Sequence, residues 1–490
     1  MRVAIIVALV AVLAATVRVV WTVIDNSAQT WRSGAPHEEL LGVSDGGVFF
    51  NDAAEEPDAG RKAIINRINR IQEKIQRENQ RVAQAGPYVK AVLLMPLTVS
   101  AGASSAITLE QIEHALQGSY TALVRANTTT NFGDYKQVGL QLLLANQGSR
   151  QDVGDRLSGK VLGVSEERHP LVGVVGLGSS VPNTETMVRR LGAAGIPMVS
   201  AITSADSLTG LPNFWSVSPS NLQYAQALRH YLDARKTLKS AIVVYDRNRD
   251  PYTNSLFTAF GKELRGYLKF PDLSYVGATL DQPAATNLFA AVVTNLCTAV
   301  NFRENPLDTV LYAGRGADFV YFAHALENRQ CKNVPLTVLA AATGFASTDI
   351  YRQVLKNGNV TVIYATSADA ASWERQTSEP PAGFADFATA YQRQGFATKE
   401  LNDGMAIAHH DALAALAAAA RLGPAVPTPA DVAPQFGNLV LAYAVRGASG
   451  GLGFPSQAGG RAVGRVIPIK QLGEDELKDP PKDWKPFRVS

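Results

Sequence analysis

The stretch LVGVVGLGSSVPNTETMVRRLGAAGIPMVSAITSADSLTG, residues 171–210, decides the fold. It reads as a buried strand over 171–175, a Gly-Ser turn over 176–180, a helix over 182–194 and a second short strand over 196–200. Another loop of small hydroxyl residues follows over 201–207. Short apolar runs separated by a helix-length segment mark a βαβ unit, whose parallel strands are covered on both faces. Both hydroxyl loops follow strands, so they share the carboxyl edge of one sheet, where open α/β folds bind ligands. A small polar pocket formed by the two loops is the expectation.

The same alternation extends in both directions. Upstream, 89–96 reads as a strand, 98–105 as a loop of small residues and 108–127 as a helix, with Thr108 as N-cap and Gln111 at the capping-box position. A strand over 136–145 and a polar helix over 151–162 complete the approach to the central unit. Downstream, 214–219 crosses over and 220–234 returns as a helix. At Ser240 the pattern restarts, with strands at 240–245, 273–278, 309–313, 335–339 and 359–364 and helices between them. Two doubly wound sheets in succession imply two lobes with a cleft between their carboxyl edges. The expected division is lobe 1 over 88–235, lobe 2 over 236–370, and helices and a Gly-rich hairpin over 371–472 that return to lobe 1. The charged, Pro-rich tail at 473–490 is expected to fray.

Ahead of the lobes, residues 61–85 form an amphipathic helix with Ile64, Ile68, Ile71, Ile75 and Val82 along one stripe. That stripe either docks on the next domain or pairs with a second chain, and two to three heptads favour docking. Residues 26–60 read as a loose connection. The run MRVAIIVALVAVLAATVRVVWTVIDN at 1–26 reads as an uncleaved signal anchor, with a cleaved signal peptide as the alternative. Either one places the body outside the cytoplasm, anchored to the cell membrane or secreted. No cysteine near this run provides a lipid attachment point.

The 490 residues are 46% hydrophobic and 18% charged, with a net charge of only +3, so most of the chain should be packed. No basic block or basic-aromatic stripe exists, which argues against nucleic acid as a partner. The two cysteines, Cys297 and Cys331, each end a helix ahead of a strand. Right-handed crossovers bring both ends to the amino edge of the sheet, so a disulfide is expected, with two buried thiols as the alternative.

Residues 89–472 resemble the extracytoplasmic solute-binding proteins of branched-chain amino acid ABC transporters, which have the type I periplasmic-binding fold. The resemblance is carried by GVVGLGSS (173–180), AAGIPMVSAITSADSLTG (193–210), FWSVSPSNLQYAQAL (214–228), IVVYDRNRDPYTNSL (242–256) and DTVLYAGRGADF (308–319). GGLGFPSQAGG (450–460) is similar to the family's Gly-Phe-Asp-x-x-Gly turn, with Pro455 in place of the acid. The resemblance implies that a ligand carboxylate is held by Ser179, Ser180, the backbone of Ile202, Thr203 and Ser204. It implies that Tyr252 closes over the ligand from the second lobe. Arg315 falls at an aromatic position, and Thr343 falls where the family has the acid that pairs with an α-ammonium group. These departures make a free amino acid a doubtful ligand and give Arg315 two readings, an anchor for a carboxylate-bearing solute or the partner of a local acid such as Asp318. An ABC permease or a sensory membrane partner is implied, and no cofactor. A sensory or scaffolding ectodomain that meets a partner protein is the alternative.

The spacing Gly173, Gly176, Gly178 is not the dinucleotide fingerprint. His409 and His410 are adjacent on an Ala-rich helix, so their side chains diverge and do not share a metal. No nucleophile elbow or HExxH motif occurs, and an enzyme is not expected.

Overall fold

The computed structural model describes residues 29–34, 38–99, 105–248, 250–279, 285, 287–341, 349–474, 477–478, 480–481 and 484–490. The proposed signal anchor and Thr343 lie outside the described residues, and among those described no helix is long and apolar enough to cross a membrane.

The chain opens with β1 (Thr30–Arg32) and β2 (Leu40–Ser44), then α1 (Ala59–Ala85), β3 (Tyr88–Met95), α2 (Leu109–Thr128), β4 (Gly139–Asn146) and α3 (Gly154–Leu162). The central unit is β5 (Leu171–Gly176), α4 (Pro182–Ala193) and β6 (Met198–Ser200), with β7 (Phe214–Ser216) after it. These strands form one sheet in the order β1-β2-β4-β3-β5-β6-β7, parallel from β4 to β7. The expected capping box of α2 is present, with the Thr108 side chain on the Gln111 N–H and the Gln111 side chain on the Thr108 N–H.

One feature of this lobe departs from the sequence expectation. Residues 26–60 are not a loose connection throughout, because β2 pairs antiparallel with β4. Glu39 is buried beside β2, where its carboxylate accepts from the Ser149 N–H at 3.0 Å, the Ser149 hydroxyl at 2.9 Å and the Thr98 hydroxyl. The early part of β4, beyond the reach of β2, is covered by side-chain amides instead. Asn79 of α1 exchanges two hydrogen bonds of 2.8 Å with the Leu142 backbone, and Asn127 of α2 exchanges two of 2.9 Å with Leu140. An amide group reproduces the donor-acceptor pair of a missing strand. The stripe Ile68, Ile71, Ile75 and Val82 of α1 is buried against this lobe, so the helix docks.

The second sheet is built from α5 (Asn221–Arg235), β8 (Ala241–Asp246), α6 (Pro251–Glu263), β9 (Leu273–Tyr275), α7 (Ala290–Val300), β10 (Thr309–Ala313), α8 (Gly316–Glu327), β11 (Leu336–Ala341), α9 (Asp349–Asn357) and β12 (Val360–Ala365). Its order is β12-β11-β10-β8-β9, all parallel. The expected lobe boundary at 235 falls after a helix that belongs with the second sheet. Tyr224, Leu228, Tyr231 and Leu232 of α5 pack with Val243, Leu256 and Phe260, so the helix expected to close lobe 1 covers the second sheet. Cys297 at the end of α7 and Cys331 beyond α8 form the disulfide, with Cα atoms 5.4 Å apart. Closing a loop over a separation of 34 residues stabilises the lobe by roughly 3–4 kcal/mol in the chain-entropy account.

Helices α10 (Ala370–Arg375), α11 (Phe384–Arg393) and α12 (Met405–Arg421) follow. α12 returns to lobe 1 and lies so close to α2 that a side chain at Gly118 would overlap the Ala406 carbonyl. The tail forms β13 (Val445–Gly447), β14 (Gly450–Gly453), β15 (Val463–Ile467), β16 (Ile469–Gln471) and β17 (Phe487–Arg488). The last strand of the Gly-rich segment does not stay in lobe 1, since β16 pairs antiparallel with β12 of the second sheet. Nor is the end frayed at its last residues: β17 pairs with β15, and Val489 is buried.

Candidate functional site

In each sheet the strand order reverses once inside the parallel array, between β3 and β5 in the first and between β8 and β10 in the second. Loops leaving two strands at such a reversal diverge and leave a crevice at their carboxyl ends. A cavity of about 410 Å³ lies there, lined from both lobes by residues that include Ser179, Ser180, Ile202, Ser204, Asp246, Asp250, Tyr252, Arg315 and Asp318.

The first-lobe wall is made of the two loops singled out in the sequence. After β5, Gly176, Leu177 and Gly178 all take positive φ, of 94°, 68° and 66°, a path that only glycine adopts freely. Ser179 and Ser180 follow. The Ser180 hydroxyl is engaged internally, accepting from the N–H groups of Ser204 at 3.1 Å and Ala205 at 3.2 Å. Thr203 does not line the cavity. Its hydroxyl pairs with the Ser200 hydroxyl at 2.5 Å, and its carbonyl accepts from Arg461 at 2.7 Å. Ser204 is different: it lines the cavity, is only 1% exposed, and its hydroxyl has no hydrogen-bond partner among the described residues. Asp403, also on this side, is held by the His114 imidazole at 2.7 Å. Burial opposes charging that ring, but the Asp403 hydrogen bond and nearby acids outweigh it and raise its pKa.

The second-lobe wall is charged. Arg315 caps the start of α8, and its Nε donates to Asp250 Oδ2, while Nη2 reaches across the cleft to the Ser180 carbonyl at 2.8 Å. Its guanidinium lies 5.5 Å from the Tyr252 ring. Burial disfavours its charge, and Asp250 more than restores it. Of the two sequence readings of Arg315, the geometry places it with a local acid, Asp250 rather than Asp318. Tyr252 is buried beneath it, with its hydroxyl donating to the Ala341 carbonyl at 3.1 Å.

The sequence reading did not place Asp246 in the site and named Asp318 only as a local acid for Arg315. Asp246 ends β8 and accepts from the N–H groups of Asn248 and Gly277, both at 3.0 Å. Asp318, in the first turn of α8, accepts from the Ala278 N–H at 3.0 Å. Burial raises the Asp318 pKa to about 6, helped by the Asp246 charge and opposed by the Ala278 N–H and by Arg315. A usable signal existed in the sequence: Asp246 ends a strand and Asp318 opens the helix that follows one, both at the carboxyl edge.

Behind the first wall, Arg461 donates to the carbonyls of Thr203 and Ala205, both at 2.7 Å, to that of Ser218 at 3.3 Å and to the Ser216 hydroxyl at 3.1 Å. Arg465 donates to Ser367 O at 2.6 Å and to Val217 O. Residues 217–220 and 366–369 lead out of β7 and β12, and Arg465 ties these two connections together through Val217 and Ser367. Burial pushes Arg461 down to about 10. His409 and His410 point apart: His409 binds the Met405 carbonyl at 2.9 Å, whereas His410 lies between Asp411 at 2.9 Å and Arg125 at 2.7 Å.

No family model and no curated protein matches the sequence. Solved structures do. The chain superposes on an ABC transporter substrate-binding protein from Desulfitobacterium hafniense with a TM-score of 0.57 at 18% identity, covering 82% of this chain and 100% of that one. The two-lobed arrangement is therefore assigned. This is a type I periplasmic-binding fold. The branched-chain amino acid binding protein LivJ from Streptococcus pneumoniae, in complex with isoleucine, shares that fold with a TM-score of 0.57 at 14% identity, over 80% of this chain and 98% of its own. A solute-binding protein from Rhodopseudomonas palustris HaA2, in complex with p-hydroxybenzoic acid, matches with a TM-score of 0.58 at 13% identity, over 82% and 97%. Within the periplasmic-binding fold, the N-terminal strands and α1 come before the stretch at 89–472 in which the sequence resemblance was found.

Proposed function

We propose that this chain binds a small polar solute in the cleft between its lobes, outside the cytoplasm, for uptake or for sensing. The observation that carries the reading is Ser204, which lines a cavity of about 410 Å³, a size suited to a small ligand, and whose buried hydroxyl has no partner among the described residues. An unpaired buried polar group costs about 1–3 kcal/mol, and a ligand atom that pairs with it recovers that cost. The connections at 217–220 and 366–369 act as the hinge, and closure brings the hydroxyl wall and the charged wall onto one molecule. The Cys297–Cys331 disulfide supports an oxidising compartment. The neighbours in complex with isoleucine and with p-hydroxybenzoic acid support solute binding as the role of the cleft.

Thermal shift of the full-length chain across amino acids, carboxylates, amides and amines tests the proposal. A bound solute raises the melting temperature by mass action. The absence of any shift with every class would remove the receptor reading.

A further inference from the structure

Among the described residues, four carboxylates line the cleft: Asp246, Asp250, Asp318 and Asp403. Two are matched within the chain, Asp250 by Arg315 and Asp403 by His114. Asp246 and Asp318 have no cationic partner within salt-bridge distance among the described residues. Asp246 is met only by the N–H groups of Asn248 and Gly277 and, at 3.3 Å, by the Asn248 side-chain amide. Asp318 has one oxygen on the Ala278 N–H and the other, Oδ2, without a hydrogen bond among the described residues, though the residue is only 2% exposed.

These two acids converge. A side chain at position 277 would collide with both the Asp318 and the Asp246 carboxylates, so glycine there lets the two acids approach one point. Neutral N–H donors orient the oxygens without cancelling their charge. Two buried carboxylates facing each other without a cation are costly, and a positive group entering from the cleft removes that cost. Among the described residues, the cation that lines this wall is Arg315, which is engaged by Asp250 and by Ser180. The opposite wall supplies an independent sign of a ligand, the buried and unpartnered Ser204 hydroxyl.

We propose that the ligand of this cleft carries a cationic nitrogen, an ammonium, amidinium or guanidinium group, seated between Asp318 and Asp246, with its other end against Ser204. This rests on the reading of the cleft as a solute site and narrows it to amine-type solutes. It also reverses the charge expected from Arg315 in the sequence. The ligand is small enough for about 410 Å³ and spans from a charged second-lobe wall to a neutral first-lobe wall.

The test is calorimetric titration of the full-length chain at pH 7.5 with two matched series, benzylamine, benzamide and benzoate, and butylamine, butanamide and butyrate. The amine of at least one series should bind at least tenfold more tightly than its amide and its acid. Asp318→Asn, which keeps the Ala278 hydrogen bond, should abolish that preference without lowering the melting temperature, and Asp246→Asn should act in the same direction. If Asp318→Asn does not fold, Asp246→Asn alone carries the comparison. Tighter binding of an acid or amide, or an amine preference that survives both substitutions, overturns the inference and leaves solute binding standing. No binding by any member of either series removes both.

Discussion

The two walls of the cleft are built on opposite principles. The first-lobe wall is made of hydroxyls and backbone N–H groups that are almost all spent within the protein, on Ser180, Thr203 and the Arg461 fan. The second-lobe wall is made of charges, of which one pair is closed and two carboxylates remain open. The contrast teaches that the first wall is a shaped surface with one hydroxyl to offer, Ser204, whereas the second sets the sign of charge the cleft accepts. Arg315 joins the two, since it belongs to the charged wall and hydrogen-bonds the neutral one.

Removing the support behind the neutral wall should have the largest effect. Arg461→Met strands the carbonyls of Thr203, Ala205 and Ser218, and should cost about 3–5 kcal/mol in denaturant unfolding. A loss below about 1 kcal/mol would show that the loops hold their shape alone. Arg315→Ala cuts the tie between the walls and leaves Asp250 unpaired. It should cost about 2 kcal/mol and increase the radius of gyration of the free protein in small-angle scattering. An unchanged radius would mean the tie does not hold the lobes together.

The charged wall has a pH signature. Because burial raises Asp318 to about 6, the folded protein takes up a proton that the unfolded chain releases nearer pH 4. Stability from this group is therefore lost as pH rises from about 4 to 6. Asp318→Asn should raise stability at pH 7.5 by on the order of 2 kcal/mol, and the gain should vanish near pH 4. His409 in the first lobe has the opposite sign, since burial lowers it to about 4, so its contribution is lost as pH falls from about 6.5 towards 4. A melting-temperature profile of the wild type and Asp318→Asn across pH 4–8 separates the two.

The smallest effects split the neutral wall itself. Thr203→Val removes the hydroxyl pair with Ser200 and should cost about 1 kcal/mol of stability with ligand affinity unchanged. Ser204→Ala breaks no bond within the described chain, so the free protein should melt as before while the ligand is held about fivefold less tightly. If the two variants exchanged these outcomes, the assignment of Ser204 to the ligand would fail.

Features that depend on neighbours in the chain were legible in the sequence. The βαβ unit at 171–210, the Thr108–Gln111 capping box and the Ile stripe of α1 follow from periodicity and local hydrogen bonding, and the structure shows each one. The cysteine pairing followed from crossover handedness, which is nearly invariant. Strand addition by residues before the lobes was not legible, because β1 and β2 are only three and five residues long, and their identity depends on the open edge of β4. The placement of α5 was not legible either, since an apolar helix face does not say which of two sheets it will cover.

By itself, then, the sequence determined two wound sheets, the hydroxyl loops at their carboxyl edge and the disulfide, because each rests on local pattern or on chirality. Only the tertiary structure decided which hydroxyl is left for a ligand and what charge faces it. Asp246, Gly277 and Asp318 come from three separate strand-end and helix-start segments of the second lobe, and Arg461 reaches the first wall from the far end of the chain. Whether a serine or a carboxylate is spent or free depends on the partners that folding brings within about 3 Å of it, and these lie far away along the chain.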